Sequence, residues 1–341
     1  MTIVDKNSFD AALIPGIRAR MASANSELRQ KEGEKFRSLL DEAGHFLPGV
    51  AKQRNCPGCG QTHATAAALY QAHGMHIVQC DRCGLVYSRE VLTIQEEKER
   101  YQKSDPATAH LMLKQNEAYA ELERGKMNYV TQRLLEFAGP SGRLLDIGSS
   151  TGALLRAASS RGWESFGIEV APGPVRYCQD QGLTATVGMY PQDLPAEWPV
   201  FDAIAAFDVL EHIPEPRTFL QQLRSHLKPG GWLLIQVPNL RTLLWAIEGA
   251  ANSNVCHGHW SHFTADTLRA LVQSEGFSTH LLETYITELD RALAYPQQRV
   301  AAAWQDLRGE PLPPLEELTT DLLHQHLLGY KLFAIFKKTE A

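Results

Sequence analysis

Beyond Gly139-Pro140 the chain alternates short apolar runs with amphipathic stretches and glycine-containing turns, and this alternation limits its fold more than any other feature. The runs are RLLDIG (143–148), WESFGIEV (163–170), LTATVG (183–188), FDAIAAFDVL (201–210) and GWLLIQVP (231–238). Each has strand length and is followed by a helical pattern or a short connection, which is how a doubly wound parallel sheet with helical crossovers reads. Two later runs, FSTHLLETYI (277–286) and GYKLFAIFKK (329–338), are also strand-like. Between them Trp304, Leu307, Leu315, Leu318, Leu322 and Leu323 mark a helical insertion at about 290–326, expected to cover a pocket.

The segments before Gly142 differ in character. Residues 1–50 are expected to be mainly helical, with Leu28, Phe36, Leu39 and Leu40 on one face and Gly44 and Pro48-Gly49 closing the segment. Residues 51–90 form a separate small module of cysteine pairs and glycine turns. Residues 91–140 are helical again, around Leu111, Leu113, Tyr119, Leu122, Met127, Val130 and Leu134, and are expected to connect the modules and act as a lid. The N-terminus carries Asp5 and Asp10 among short apolar pieces, so no secretory signal is expected there. No apolar run reaches the roughly 18 residues of a membrane span. A cytoplasmic setting without membrane contact is therefore expected.

The segment RLLDIGSSTGALLRAASSRG reads as a buried strand, a tight turn and a helix ending at Gly162. Small residues in such a turn let backbone N–H groups approach a ligand, and an acidic residue at the strand end can accept hydrogen bonds from it. Glu169 ends the next strand, 23 positions after Asp146, where a carboxylate can take both hydroxyls of a ribose. Dehydrogenases compete for this pattern, but their G-x-G-x-x-G fingerprint is missing.

The stretch Asp146-Ile147-Gly148-Ser149-Ser150-Thr151-Gly152 resembles the first motif of the class I S-adenosylmethionine-dependent methyltransferases. The resemblance continues through PQDLPAEWPVFDAIAAFDVLEHIPEP and HLKPGGWLLIQVPN and covers Gly142 to Phe277. It implies an α/β fold with a doubly wound, mostly parallel, Rossmann-like seven-stranded sheet in a domain at 141–341. It further implies that Asp146, Gly148, Ser149 and Gly152 lie against the methionine part of S-adenosylmethionine, and that Glu169 with Val170 takes the ribose. Asp208 then closes the fourth strand beside the cofactor, and the residues from Met189 to Asp193 approach the adenine. Two departures stand out. Ser150 replaces a middle glycine, and Tyr190 stands where relatives often carry an acidic residue.

Methyl transfer to a hydroxyl needs an aligned acceptor and a base for its proton. Asp208, Glu211 and His212 follow the fourth strand at the carboxyl edge, where open α/β sheets bind ligands, and His212 is the first candidate base. The grouping D-x-x-E-H also resembles the E-x-x-E-H cluster of metal-dependent O-methyltransferases of ubiquinone biosynthesis, so a divalent metal at Asp208, Glu211 and His212 is an alternative. Capping of the next turn is the plain structural alternative for Glu211 and His212. A second group, His257-Gly258-His259-Trp260-Ser261-His262-Phe263-Thr264, precedes a helix with Thr264 as its expected N-cap. Relatives often carry H-x-x-H-F-T there, which implies that His259 and His262 face the acceptor, with Trp260 as a wall.

Cys56-Pro57-Gly58-Cys59 and Cys80-Asp81-Arg82-Cys83 are two C-x-x-C knuckles separated by twenty residues, the spacing of a four-cysteine structural zinc site. Iron and a redox dithiol are the alternatives. A net charge of −6 supplies no general field for nucleic acid, and Lys52, Arg54, Arg82 and Arg89 make only a mild patch. The expected acceptor is thus a small molecule or a carrier-attached group methylated at oxygen, with an RNA methyltransferase as an alternative. A further alternative is a zinc-ribbon protein that binds or senses S-adenosylmethionine without turnover. The sequence leaves the oligomeric state open.

Overall fold

The structure is a computed structural model that describes residues 5–20, 33–102, 116–198 and 200–340. Leu28, Leu111 and Leu113 lie outside the described residues. The described part of 1–50 holds 3-10 turns at Lys6–Phe9 and Ala11–Leu13 and helical residues at 17–20 and 33–38. Phe9 is buried against the rings of Tyr129 and Tyr285 at 5.7 and 5.5 Å, and the Asp10 carboxylate accepts from the Thr287 N–H and hydroxyl at 2.8 and 2.9 Å.

The cysteine module consists of β1 (Ala51–Gln53), β2 (Ala67–Ala72), β3 (Met75–Gln79), β4 (Val86–Ser88) and β5 (Glu90–Leu92). Strands β1 and β5 pair with each other, and β2, β3 and β4 form an antiparallel sheet. Helix α1 (Ile94–Gln102) follows, then α2 (Glu117–Ala138), whose N-cap Asn116 accepts from Ala118 and Tyr119.

The main sheet takes β6 (Arg143–Ile147), β7 (Glu164–Glu169), β8 (Thr184–Val187), β9 (Phe201–Phe207), β10 (Leu227–Pro238), β12 (Phe277–Tyr285) and β13 (Lys331–Lys338), with β11 (Ser261–His262) lying outside it. Its order is β12-β13-β10-β9-β6-β7-β8. Strands β8, β7, β6, β9 and β10 run parallel, and β13 is antiparallel to both neighbours. All seven apolar runs become strands, and the mixed, mostly parallel α/β sheet expected from them is present.

These runs are continuously apolar because both faces are covered. Leu145, Ile204, Leu233 and Leu332 face α5 (Pro216–His226) and α7 (Ala265–Ser274), whereas Leu144, Ala205, Leu234 and Phe333 face α2 and α3 (Ala153–Ser159). The first of these layers also takes in Cys56, Val78, Cys80, Leu85 and Tyr87, so the cysteine module shares a core with the sheet. The insertion forms α8 (Leu289–Leu293), α9 (Gln297–Arg308) and α10 (Thr320–Gln325). Its Trp304, Leu318 and Leu323 pack with Leu243 and Ile247 of α6 (Leu243–Glu248), so its apolar face is spent on that helix. Thr264 caps α7 in a capping box with Thr267, as its position before the helix predicts.

Candidate active site

The turn after β6 is built by backbone geometry that side chains oppose. Gly148 and Gly152 both have φ +72°, and an added Cβ would lie 2.8 Å from Val209 Cγ2 and 2.7 Å from Leu183 Cδ1 respectively. Conformation and space therefore both demand glycine. Ser150 adopts φ 47° without being glycine. Its N–H donates to Glu169 Oε2 at 3.1 Å, and Ala171 N–H donates to Oε1 at 2.9 Å, so the Glu169 carboxylate is fixed between the turn and α4 (Pro172–Asp180).

A cavity opens on this turn, lined by Asp146, Gly148, Ser149 and Thr151, with Asp208 on another side. The Ser149 hydroxyl is buried with no partner among the described residues. From α2 come Glu123 and Lys126, which pair at 2.5 Å while Lys126 is almost wholly buried. Sequence reasoning missed both, because in a helix of mixed charges nothing marks the residues that turn inward.

Val170 follows β7, half-buried. Met189 N–H donates to Asp193 Oδ2 at 2.8 Å. Tyr190 is buried, its ring meets Phe219 edge-on at 5.7 Å, and its hydroxyl lies 3.0 Å from Gln222 O and 2.8 Å from His226 Nδ1. Its side chain belongs to the core against α5.

Asp208 has φ 55° and both of its oxygens engaged. Lys331 Nζ lies 2.8 Å from Oδ1, and Gln236 Nε2 donates to Oδ2 at 2.7 Å, while Gln236 Oε1 accepts from the Tyr285 hydroxyl. Burial opposes ionisation of Asp208, but the Lys331 ammonium, with Lys126 beyond it, holds the carboxyl well below the usual range. Burial and the neighbouring Asp208 charge push Glu211 the other way, well above it. Both Glu211 carboxyl oxygens are buried and have no hydrogen-bond partner among the described residues.

His212 Nδ1 donates to Gly258 O at 2.7 Å, and His259 Nδ1 donates to Asn254 O at 2.9 Å. A carbonyl can only accept, so each bond fixes its ring in the tautomer whose lone pair is on Nε2. The two rings meet edge-on at 4.8 Å. Burial, with His212 and Lys331 nearby, lowers the basicity of His259 well below the ordinary range. Ligand atoms of Glu211, His212 and His259 lie within 4.8 Å of one another. This trio differs from the D-x-x-E-H set: Asp208 is held by Lys331 and Gln236, and His259 takes its place.

His262 is not brought into the trio. It is buried with its ring 5.2 Å from Trp245, edge-on, and burial pushes it down to about 3. Trp260 is not an acceptor wall either, for it is wholly buried, donates to Glu97 Oε1 at 2.8 Å and packs with Met75, Ile77 and Val86.

The four cysteines form the second constellation. Cys56 and Cys83 sulfurs are 3.5 Å apart, as are Cys59 and Cys80, and all four lie within 4.8 Å. Tetrahedral zinc with bonds of about 2.3 Å would place its sulfurs about 3.8 Å apart. Backbone N–H groups of Gly58 and Cys59 reach the Cys56 sulfur, and those of Arg82 and Cys83 reach Cys80. Gly60 and Gly84, after the second cysteine of each knuckle, have φ +75° and +73°. The residues fit a four-thiolate metal.

Strand β11, unforeseen from the sequence, joins the cysteine module to the histidine-bearing segment. Ser261 pairs with Tyr87 and His262 with Val86, extending the ribbon sheet by the segment that carries the histidines. Two residues are too few to give a period, so no sequence pattern marked it.

Residues 119–282 match the family model described as "Methyltransferase domain". The chain is 32% identical over 128 residues to a ubiquinone biosynthesis O-methyltransferase of Xanthomonas campestris, covering 36% of this chain and 52% of that protein. For the same enzyme of Chromobacterium violaceum the identity is 31% over 116 residues, covering 32% and 50%. The chain thus spans about half the length of the curated relatives it matches. Among solved structures it is similar to a SAM-dependent methyltransferase from Archaeoglobus fulgidus, at 19% identity and a TM-score of 0.44 over 63% of this chain and 94% of that one. The family-model match falls on the segment that carries the Gly148–Gly152 turn, Glu169 and Asp208, and it supports a class I S-adenosylmethionine-dependent methyltransferase domain there.

Proposed function

We propose that this protein transfers a methyl group from S-adenosylmethionine to oxygen on a small-molecule or carrier-attached acceptor. The observation that carries this reading is the position of Asp208, which lines the cavity of the glycine turn and stands three residues before the Glu211-His212 pair. The cofactor supplies an electrophilic methyl group. Asp146, Gly148, Ser149 and Gly152 hold its methionine part, Lys126 takes the carboxylate, Glu169 with Val170 takes the ribose hydroxyls, and the backbone at Met189 meets the adenine. His212, with Nε2 as the basic nitrogen, accepts the acceptor proton, and His259 packs against it to fix the ring.

The four cysteines hold a structural zinc. A second reading concerns the acceptor side. The buried, unpartnered oxygens of Glu211 near two imidazole rings whose Nδ1 atoms are both occupied also suit a divalent cation. Metal analysis separates the two: one zinc per chain leaves the histidines to proton transfer, whereas a second ion lost in Glu211→Gln assigns them to the metal.

The functional test is production of S-adenosylhomocysteine with a panel of catechols and phenols, comparing wild type with His212→Gln. Turnover that falls by about 100-fold in kcat, with the cofactor still bound, supports the base. Tight cofactor binding without product from any acceptor supports a sensor in its place.

A further inference from the structure

Arg54 stands between β1 and the first zinc knuckle, and its backbone N–H donates to Arg89 O at 2.9 Å. Its side chain is buried, yet it forms no hydrogen bond or ion pair to a carboxylate among the described residues. Its guanidinium instead donates to three carbonyls: Nε to Ser88 O at 3.0 Å, Nη1 to Pro214 O at 2.5 Å, and Nη2 to Trp260 O. These carbonyls come from the end of ribbon strand β4, from the segment two residues beyond His212, and from the residue after His259. Burying a cation is costly unless each donor finds an acceptor, and only a planar fork can reach three diverging carbonyls at once.

The two histidine-bearing segments are already in contact. Trp260 N–H donates to Glu211 O at 2.8 Å, and His212 Nδ1 donates to Gly258 O. The Trp260 carbonyl accepts from Ser88 N–H at 2.9 Å as well as from Arg54. Without the guanidinium, the Trp260 segment stays on the ribbon through Ser88 N–H and the β4–β11 pairing, whereas the Pro214 carbonyl loses its bond to the ribbon side.

We propose that Arg54 is a positioning residue for the acceptor side, holding the Glu211–Pro214 and Gly258–Trp260 segments in the arrangement that sets His212 against His259. The proposal rests on the reading of these histidines as the acceptor-side groups, and it gives the ribbon a part in the site beyond its own folding. The ring tautomer of His212, which the bond from Nδ1 to Gly258 O favours, reports that arrangement.

The test uses the full-length zinc-loaded chain, wild type, Arg54→Gln, Arg54→Lys and Arg54→Ala, labelled with 15N-histidine. The expected result has three parts. Zinc content and S-adenosylhomocysteine affinity stay within about twofold, the His212 ring becomes a mixture of tautomers in the variants, and amide exchange at Gly258–Trp260 rises by about tenfold or more. Added guanidinium ion restores the ring signature in Arg54→Ala. An unchanged His212 signature, full rescue by lysine, or loss of zinc together with the signature overturns the proposal. Should Arg54→Gln fail to fold, the lysine variant decides. Wild type that fails to bind S-adenosylhomocysteine contradicts the cofactor reading instead, while the ring measurement still decides the role of Arg54.

Discussion

Lys331 Nζ lies 2.8 Å from Asp208 Oδ1, an ion pair that joins the start of the last strand, β13, to the carboxyl end of β9. Its effect spreads beyond the pair. The same ammonium holds the Asp208 carboxyl below the usual range and adds to burial and His212 in lowering the basicity of His259, while the Asp208 charge adds to burial in raising Glu211.

Replacing Lys331 by methionine leaves a carboxylate without its cation. Asp208 retains 38% side-chain exposure, so solvent softens the penalty, and the expected loss of stability is about 1–3 kcal/mol. Denaturant unfolding of Lys331→Met against wild type checks this. The double variant Lys331→Met/Asp208→Asn should recover much of the loss, since it removes the stranded charge.

The Gly148–Gly152 turn makes opposite predictions for two of its positions. Gly152→Ala forces a Cβ into φ +72° and toward Leu183 and Cys178, and should cost about 1–2 kcal/mol and weaken S-adenosylhomocysteine binding. Ser150→Gly relieves a φ of 47° and should leave binding intact while raising stability by up to about 1 kcal/mol. Melting temperatures and calorimetric titration of the two variants distinguish these outcomes.

The buried histidines set an acid limit. Burial, with the His259 ring and the Arg54 cation beside it, pushes His262 down to about 3, whereas in the unfolded chain it titrates near the ordinary value of about 6.5. Between these values the unfolded chain binds the extra proton. Stability from this group is therefore complete above about 6.5 and falls as pH drops, by about 1.4 kcal/mol per unit. His259 acts in the same direction. Urea midpoints measured from pH 7 to 5 should decline, and His262→Gln should flatten the decline.

Removing the zinc proposed for the four cysteines should destabilise more than their own module. Cys56 and Cys80 share a core with Leu210, Phe219 and Phe336, and β4 pairs with β11. Chelation or Cys80→Ser should lower the melting temperature of the whole chain in one transition and release one zinc per chain. A ribbon that melts alone, with the main transition unmoved, contradicts this coupling.

What the sequence disclosed follows from range. The seven strands were legible because both sheet faces are covered and each run is apolar throughout, and the cysteines because four thiolates at knuckle spacing form a local pattern. Gly148, Gly152 and Glu169 were legible for the same reason, since the turn and the following strand sit close in the chain. Lys331 was hidden because its partner is 123 positions away and a lysine opening an apolar strand resembles an ordinary edge residue. Lys126 and Arg54 were hidden because their burial is decided by elements distant in sequence. Trp260 was misplaced for a related reason: an aromatic ring suits a ligand and a core equally, and packing made the choice.

The measurement that tests the central claim most directly is calorimetric titration of the zinc-loaded protein with S-adenosylmethionine and S-adenosylhomocysteine, in wild type, Asp146→Ala and Glu169→Ala. Saturable binding at one site, weakened by about tenfold or more in each variant, is the predicted result. Absence of binding in a wild-type protein that carries its zinc and unfolds cooperatively would contradict it.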